Sequence, residues 1–344
     1  MHINEYGFLR VAASSPKLRV ADCDYNTAEI KSVIARAAKE CVQILCFPEL
    51  CITAYTCADL FFQTALQQKA LASLNELADF MKDKPALIAI VGLPLRVKSS
   101  LFNVAAVISA EGILGFVPKT YIPNNNEFYE KRWFASSADL CDFFVEIDGE
   151  NVPIASEGMV FKTPFGNFGI EICEDLWMPV PPSSKLAMQG ADVLFNLSAS
   201  NELVGKNHYR KSLVLQQSGR CNAGYVYASA GWGESTTDLV FSGACFIAEN
   251  GSMLTESKRF SQDSELIIAD IDIDALRNDR LKNTNYTEIV PDSATEIDCF
   301  IESVSPKKMA RAFNPHPFIP AEESANESLS EVFNIPPHGL ATSL

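Results

Sequence analysis

Three residues of the sequence could together form a thiol-based catalytic site, because each directly follows a predicted strand. Glu49 comes after residues 42–47, Lys119 after residues 115–117, and Cys173 after residues 169–172. A thiol can attack a carbonyl carbon, a carboxylate can take the thiol's proton, and an ammonium can stabilise the resulting oxyanion. The carboxyl ends of strands are where α/β folds place their sites, so we expect the three side chains to converge. An ammonium beside a thiol lowers the thiol's pKa, so we also expect Lys119 to keep Cys173 acidic.

Each of these residues also has an ordinary structural explanation when it is taken alone. Cys173 could be a core cysteine at the end of a strand, and Glu49 a loop glutamate that caps a helix. Lys119 could be a solvated lysine, which is the usual state of a single lysine. The argument for catalysis therefore rests on the three residues as a set.

Histidine is scarce in this sequence. Its four histidines are His2, His208, His316 and His338. Three of them lie near a terminus or in the C-terminal tail, and His208 lies in a predicted polar helix, where we interpret it as a surface residue. The sequence therefore offers few histidines that could pair with a catalytic cysteine. We expect the base of a thiol nucleophile to be a carboxylate.

The composition is that of a globular protein with a large core. The chain has 344 residues, 47% of them hydrophobic, and a formal net charge of −15. That charge argues against binding to nucleic acid or to anionic membrane surfaces. The N-terminus lacks signal-peptide features, and apolar runs stay short of the roughly 18 residues that span a bilayer. The ten cysteines include no CxxC pair, so we expect reduced thiols, no metal site and a cytoplasmic protein.

Apolar strands alternate with helical patterns along the first 275 residues. Buried-strand runs at residues 42–47, 87–92 and 191–196, mixed with short hairpins, predict mixed sheets covered by helices. Another strand is predicted over residues 239–248, and Asn26 is predicted as the N-cap of the first helix. We place the boundary of the globular domain near residue 275. Residues 276–344 are expected to form an arm, with an extended proline-rich piece at 314–320 and a short acidic helix at 322–333.

The segments around the three candidate residues resemble the three signatures of the nitrilase superfamily. They are Phe-Pro-Glu-Leu at 47–50, Val-Pro-Lys at 117–119 and Glu-Ile-Cys-Glu-Asp-Leu-Trp at 171–177. The resemblance runs over about residues 8–275 and implies an α/β fold, a four-layer α-β-β-α sandwich of two mixed sheets. It also implies that Glu49, Lys119 and Cys173 catalyse hydrolysis of a carbon–nitrogen bond.

One branch of that superfamily is more similar than the others: the glutaminase domains of glutamine-dependent NAD+ synthetases. The resemblance lies in residues 55–60, 127–132, 196–200 and 205–206, and in the tail at 315–320 and 333–342. It implies a glutamine site that contains Tyr55, Asn125, Glu174, Ser200 and Lys206. The sequence departs from this branch at two of these positions, because the family usually has tyrosine near Asn125 and often has arginine in place of Lys206.

This resemblance implies that residues 1–275 hydrolyse glutamine to glutamate and ammonia through a cysteine thioester. The ammonia would serve NAD+ synthesis from deamido-NAD+ on a synthetase domain towards which residues 276–344 lead. The Ser-Gly-Gly-x-Asp-Ser loop of that domain is absent up to Leu344. We therefore expect no NAD+ synthesis by this chain alone and no cofactor on it, with ATP and Mg²⁺ confined to the synthetase domain. Glutamine, that domain and further copies of the chain are its expected partners.

Other functions stay open on the sequence alone. A free-standing nitrilase-type amidase or carbamoylase acting on another small amide would use the same trio, although it would not need the tail at 315–342. A non-catalytic binding module of the same fold would have no need for Glu49, Lys119 and Cys173 together. A phosphate-binding module is weaker, because the glycines at 166 and 169 and at 231 and 233 form no GxGxxG after a strand.

Overall fold

The structure, a computed structural model, describes residues 2–141, 143–288, 294–313, 315–316 and 325–343. Met1–Ala310 form one compact unit and Arg311–Leu344 form a second. Most of the predicted apolar runs form strands. The strands are β1 (Phe8–Ser15), β2 (Ile44–Cys46), β3 (Ile88–Val97), β4 (Ser100–Ser109), β5 (Gly112–Pro118), β6 (Phe144–Ile147), β7 (Glu150–Pro153), β8 (Met159–Thr163), β9 (Gly166–Ile172), β10 (Val193–Ser198), β11 (Gly224–Ser229), β12 (Cys245–Glu249), β13 (Ser252–Glu256), β14 (Glu265–Asp272) and β15 (Thr295–Asp298).

Two large mixed sheets form the centre of the first unit. The first sheet has the order β14-β1-β2-β3-β4-β5, with β1, β2 and β3 parallel and the other pairs antiparallel. The second sheet has the order β13-β12-β11-β10-β9-β8-β15, with β9, β10 and β11 parallel and β15 parallel to β8. β6 and β7 pair with each other as a hairpin.

Three buried apolar layers show that the two sheets lie between helices. Val11, Ile44 and Phe195 belong to the layer between the sheets. A second layer covers the outer face of the first sheet, and a third, smaller one covers the outer face of the second sheet. The helices are α1 (Cys23–Lys39), α2 (Thr64–Met81), α3 (Pro182–Met188), α4 (Lys206–Arg220), α5 (Ile273–Lys282), α6 (Asn285–Glu288) and α7 (Ala325–Ser343). The predicted four-layer α-β-β-α sandwich is confirmed.

The start of α1 differs from the prediction. Asp22 is its N-cap, with the carboxylate accepting from the backbone N–H of Tyr25 at 3.1 Å. Asn26 lies inside the helix and is buried, where its amide accepts from the N–H of Arg19 at 2.7 Å and donates to the carbonyl of Ile52 at 3.1 Å. The prediction of Asn26 as N-cap was wrong, because this side chain joins the helix to a neighbouring loop instead.

The strand predicted over residues 239–248 is shorter in the structure. β12 begins at Cys245, and of the earlier residues Phe241 makes an isolated bridge with Asn201. Gly243 has a φ of 71°, which an extended strand does not allow, so the chain can enter the sheet only after it.

The first compact unit extends past the boundary expected at residue 275, as far as Ala310. β15 adds an edge strand to the second sheet through its pairing with β8. A buried ion pair holds the segment that follows, because Arg10 donates to the carbonyl of Lys308 at 2.8 Å while Asp270 accepts from the N–H of Ala310 at 2.6 Å. These contacts bind residues 295–310 to the sheets, which a reading of local composition did not detect.

The second unit contains α7. The helix continues beyond residue 333, where the sequence predicted its end, and includes Pro336 and Pro337. Its exposed face carries Leu329, Val332 and Phe333. Residues 322–324 of the predicted helix, and residues 314 and 317–320 of the predicted proline-rich piece, lie outside the described residues. Within the described ranges, no helix combines the length and apolarity needed to cross a bilayer.

Candidate active site

Glu49 lies three residues beyond the end of β2, and a glycine of the next strand gives it room. A Cβ atom on Gly92 would come within 2.3 Å of the backbone nitrogen of Leu50 and 2.9 Å of the carbonyl carbon of Glu49. Since real Cβ atoms do not approach backbone this closely, only glycine allows the Glu49 loop to pack against β3. The backbone N–H of Glu49 also donates to the carbonyl of Ser198 at 3.3 Å, which links the carboxyl ends of β2 and β10 across the two sheets.

The carboxylate of Glu49 is buried, and both of its oxygens accept hydrogen bonds. Oε1 accepts from Nζ of Lys119 at 2.6 Å and from the amide of Asn103 at 2.7 Å. Oε2 accepts from the backbone N–H of Ala199 at 2.9 Å. A buried carboxylate held in this way has a fixed orientation, which a general base requires.

Lys119 is fully buried between two carboxylates. Beyond Glu49, its Nζ donates to both oxygens of Glu130 at 2.8 Å. Burial disfavours the charge of Lys119, but Glu130 and Glu49 outweigh burial and raise the pKa of the lysine above its usual value. Lys119 is therefore a permanent cation in the site.

Glu130 is a site residue that the sequence analysis did not single out. It lies in the segment 127–132 that carried part of the resemblance, on a 3-10 turn without strand or helix periodicity. Its Oε1 also accepts from the hydroxyl of Tyr55 at 2.8 Å, which places this predicted substrate residue against the lysine's second partner. The available signal was a glutamate next to aromatic residues in a loop, which is too weak to assign a role.

Cys173 occupies the turn between β9 and a 3-10 helix, Cys173–Trp177. Its φ of 49° lies in the left-handed region, which non-glycine residues rarely adopt and which is common at strained functional turns. The backbone N–H of Ala199 lies in hydrogen-bonding range of its sulfur, and the charges of Glu49 and Lys119 both act on the thiol. The structure therefore brings Glu49, Lys119 and Cys173 together.

The expected acidic thiol is not found. Burial and the neighbouring Glu49 raise the pKa of Cys173 above its usual value, and the opposing effect of Lys119 does not compensate. Burial is the largest cause, and the carboxylates of Glu49 and Glu130, which also pair with Lys119, add to the rise in pKa. The resting nucleophile is a neutral thiol, so its proton must pass to a base during attack.

Ser200 follows the end of β10, and Lys206 begins α4. The hydroxyl of Ser200 accepts from the guanidinium of Arg210 at 3.2 Å, and Arg210 itself is fully buried. Lys206 donates to the side chain of Asn201 and lies over the ring of Trp177, with Nζ 5.2 Å from the ring centre. Burial lowers the pKa of Lys206, while the nearby Cys173 opposes that change. Lys206 and Arg210 are therefore two cations near enough to Cys173 to interact with it electrostatically.

Carboxylates stand close to these cations. Glu127 accepts from the amide of Asn201 at 2.7 Å, so it is linked through that residue to Lys206. Glu174 follows Cys173 and is half-buried, and burial raises its pKa while Lys119 and Lys206 oppose the rise. The site thus presents both charge signs within reach of one small ligand.

Asn125 is exposed on the loop that precedes Phe128, whose backbone N–H donates to the carbonyl oxygen of Asn125 at 2.8 Å. Among the contacts of the described residues, none joins the Asn125 side chain to Cys173 or Lys206. Of the predicted substrate residues, Tyr55 and Lys206 interact electrostatically with Cys173 and Glu174 follows it in the chain, whereas Ser200 is connected to the site through Arg210.

A cavity of ≈ 320 Å³ opens next to Tyr55, with Glu127, Phe128 and Asp238 in its wall. The buried Glu234 holds this side of the cavity, since its carboxylate accepts from the backbone N–H of Tyr55 at 2.8 Å and from that of Thr56 at 3.0 Å. Glu49, Lys119 and Cys173 are not among the described residues that line it, so this cavity borders the site and does not contain the thiol.

Within the described part of the chain, His, Cys, Asp and Glu side chains form no group of three or more that could hold a metal ion. His208 is exposed on α4 and does not take part in the contacts described above.

Comparisons with known proteins agree with this geometry. The family model described as carbon-nitrogen hydrolase matches residues 10–281. The glutamine-dependent NAD(+) synthetase of Mycobacterium tuberculosis is 34% identical over 350 residues, which cover 98% of this chain and 51% of that protein. The chain therefore spans about half the length of the curated relatives it matches.

Solved structures show the same fold. A glutamine-dependent NAD(+) synthetase from Cytophaga hutchinsonii superposes with a TM-score of 0.69 at 27% identity, covering 77% of this chain and 43% of that one. An amidase from Nesterenkonia sp. superposes with a TM-score of 0.62 at 18% identity, covering 80% of this chain and 95% of that one. At that low identity the amidase is evidence for the fold alone.

Proposed function

Because the chain belongs to the carbon–nitrogen hydrolase family, and is thus an enzyme of the hydrolase class, we propose that it hydrolyses glutamine to glutamate and ammonia. We further propose that it is the glutaminase part of a glutamine-dependent NAD+ synthetase. The observation that carries the proposal is the buried arrangement of Glu49, Lys119 and Cys173 beside groups of both charge signs.

The first chemical step is attack of Cys173 on the side-chain amide carbon of glutamine. Glu49 takes the proton of the thiol as the sulfur–carbon bond forms, and the carbonyl oxygen becomes an oxyanion. The Lys119 ammonium and the backbone N–H groups that follow Cys173 stabilise that oxyanion. The carbon–nitrogen bond then breaks, Glu49 returns the proton to the leaving nitrogen, and ammonia departs from a γ-glutamyl thioester.

The second step consumes one water. Glu49, again a carboxylate, takes a proton from water while the water oxygen attacks the thioester carbon. The carbon–sulfur bond breaks, glutamate leaves, and the proton on Glu49 returns to the sulfur. Burial raises the pKa of Glu130 to about 7 while Lys119 opposes the rise. In its ionised form Glu130 supplies the buried lysine with a counter-charge when Glu49 takes a proton.

Selection of glutamine follows from its charged head group. Its α-carboxylate suits Lys206 and the hydroxyl of Ser200, which Arg210 orients. Its α-ammonium suits Glu174 and the carboxylate of Glu127 beside the cavity. Tyr55 lines the same cavity and offers its ring to the aliphatic part of the substrate. Simple aliphatic amides lack both charges and should bind poorly.

The chemistry uses side chains of the protein, and we propose that it needs no metal or cofactor. ATP and Mg²⁺ would act on a synthetase domain, the partner that consumes the ammonia. Exposed apolar residues such as Leu203 and Val204 support association into a homo-oligomer. Ten free cysteines support a reducing, cytoplasmic setting.

A free-standing amidase or carbamoylase is the second candidate, because the same Glu49, Lys119 and Cys173 would also hydrolyse another small amide. The test is ammonia release from glutamine, asparagine, propionamide and a carbamoyl amino acid under identical conditions. Preference for glutamine supports the proposal. Preference for propionamide or the carbamoyl compound would favour the second candidate.

A further inference from the structure

Asp175 is a buried carboxylate two residues beyond Cys173 that holds two separate segments of the chain. Its Oδ1 accepts from the backbone N–H of Tyr121 at 2.7 Å, and its Oδ2 accepts from the backbone N–H of Ile172 at 2.9 Å. Burial raises the pKa of Asp175 to about 7, and these two N–H groups oppose the rise. A carboxylate in such a place is costly unless its hydrogen bonds are made.

The two segments carry the ammonium and the thiol. Tyr121 comes two residues after Lys119 and three residues beyond the end of β5 in the first sheet. Ile172 immediately precedes Cys173 and is the last residue of β9 in the second sheet. The side chain of Asp175 therefore fixes the distance between the segment that carries Lys119 and the segment that carries Cys173.

The two segments need this support for different reasons. Cys173 has a left-handed backbone with a φ of 49°, and an N–H bonded at the preceding residue stabilises that turn. The lysine segment is irregular after Pro118, and on its other side the Oγ of Ser136 donates to the carbonyl of Thr120 at 2.6 Å. Without the Asp175 carboxylate, Ser136 would still hold the lysine segment, but that segment would lose its link to Ile172.

Both carboxylate oxygens of Asp175 already accept from backbone N–H groups of the protein. Asp175 lines a cavity of ≈ 290 Å³ together with Val180 and Lys185, which is separate from the cavity beside Tyr55 and Glu127. We propose that Asp175 is a positioning residue, which sets Lys119 and Cys173 in register for attack without touching the substrate. The inference rests on the proposed function in taking these two residues as catalytic.

The test compares wild type with Asp175→Asn at about pH 8, above the pKa of the carboxyl group, so that the wild-type side chain is ionised. An asparagine keeps the size but has one acceptor oxygen, so it can satisfy Tyr121 or Ile172 and not both. We expect kcat for glutamine and the rate of Cys173 alkylation by iodoacetamide to fall roughly 10- to 100-fold. KM for glutamine should stay within about twofold, because Ser200 and Lys206 are on other elements.

Asp192→Asn is the matched control. Asp192 is also buried, and its carboxylate accepts from the backbone N–H of Asn167 at 2.9 Å. It directly precedes β10, at the opposite end of that strand from Ser198. This variant should lower Tm and leave kcat and the alkylation rate unchanged. If Asp175→Asn is too unstable to purify, Asp175→Ser fits the same space with a smaller side chain and supports the same comparison.

Three results would overturn the inference. The first is wild-type kcat and alkylation in the Asp175 variant, and the second is a raised KM with unchanged kcat. The third is a loss of kcat that follows Tm equally in the Asp175 and Asp192 variants. If wild type alkylates at Cys173 but hydrolyses no glutamine, the proposed substrate fails, and the alkylation rates alone still decide the role of Asp175.

Discussion

Glu49 and Lys119 form an ion pair of 2.6 Å from which solvent is excluded, with both side chains 0% exposed. Such a pair would normally make the carboxylate a poor base, because taking a proton would leave a buried cation alone. Glu130 removes this obstacle by holding the same ammonium at 2.8 Å. The group of two carboxylates and one lysine carries one net negative charge, so it can accept the proton of Cys173 and become neutral.

The first prediction concerns Glu130. In Glu130→Gln the lysine loses one negative partner, so Glu49 becomes its sole counter-charge and a weaker base. We expect kcat for glutamine to fall about 10²-fold or more with little change in KM, measured by ammonia release. Glu157→Gln removes an exposed carboxylate paired with Lys185 and should retain wild-type kcat. Equal activity of the two variants would contradict the role of Glu130.

The second prediction concerns Gly92. Gly92→Ala places a methyl group 2.3 Å from the nitrogen of Leu50, so the loop that carries Glu49 must move. A shift of about 1 Å at a catalytic group is expected to reduce kcat about 10²-fold. Gly115→Ala, in β5, is the matched control, because the atoms nearest to its added methyl group would be at 3.4 Å. This variant should stay active. Full activity of Gly92→Ala would show that the position of the Glu49 loop is not critical.

The third prediction concerns pH and Lys206. Burial lowers the pKa of this lysine, so its charge is complete at low pH and is lost below the pH at which an ordinary lysine titrates. KM for glutamine should therefore rise on the alkaline side at lower pH in wild type than in Lys206→Arg, whose side chain stays charged. The α-amino group of glutamine titrates equally in both proteins, so the difference reports Lys206. If the pH profiles of KM for wild type and Lys206→Arg were superimposable, Lys206 would not bind the carboxylate of glutamine.

The fourth prediction concerns stability. Asp270→Asn leaves Arg10 buried without a carboxylate, since the pair at 2.6 Å has side-chain exposures of 3% and 0%. Breaking a buried pair in this way should lower the free energy of unfolding by about 3–5 kcal/mol, measured by urea denaturation. Limited proteolysis should then cut first near residues 308–310, which the pair holds. Glu296→Gln, in an exposed pair with Lys162, should not shift the transition measurably.

The trio could be predicted from the sequence because each member combines a reactive group with a position at the end of an apolar strand. Glu49, Lys119 and Cys173 carry that signal in their immediate neighbours. The two-sheet architecture followed from buried strands and from the family resemblance. These features are local, so a linear reading detects them.

Other features depend on tertiary contacts that a linear reading does not contain. Glu130 reaches Lys119 from an irregular segment, and Asp175 acts on a strand end more than 50 residues away along the chain. The prediction of an acidic thiol at Cys173 was wrong because burial and the neighbouring carboxylates raise the pKa of this thiol. Both effects arise from tertiary packing. Asn26 was misplaced because Asp22, four residues earlier, supplied the cap.

The central claim is that Cys173 carries a γ-glutamyl thioester during turnover of glutamine. The direct measurement is acid quench of the enzyme during steady-state hydrolysis, followed by mass spectrometry of the peptide that contains Cys173. The account predicts a glutamyl adduct on Cys173, absent from the other nine cysteines and from Cys173→Ala, which should also release no ammonia. Ammonia release by Cys173→Ala, or steady turnover with no adduct on Cys173 in any quench, would contradict it.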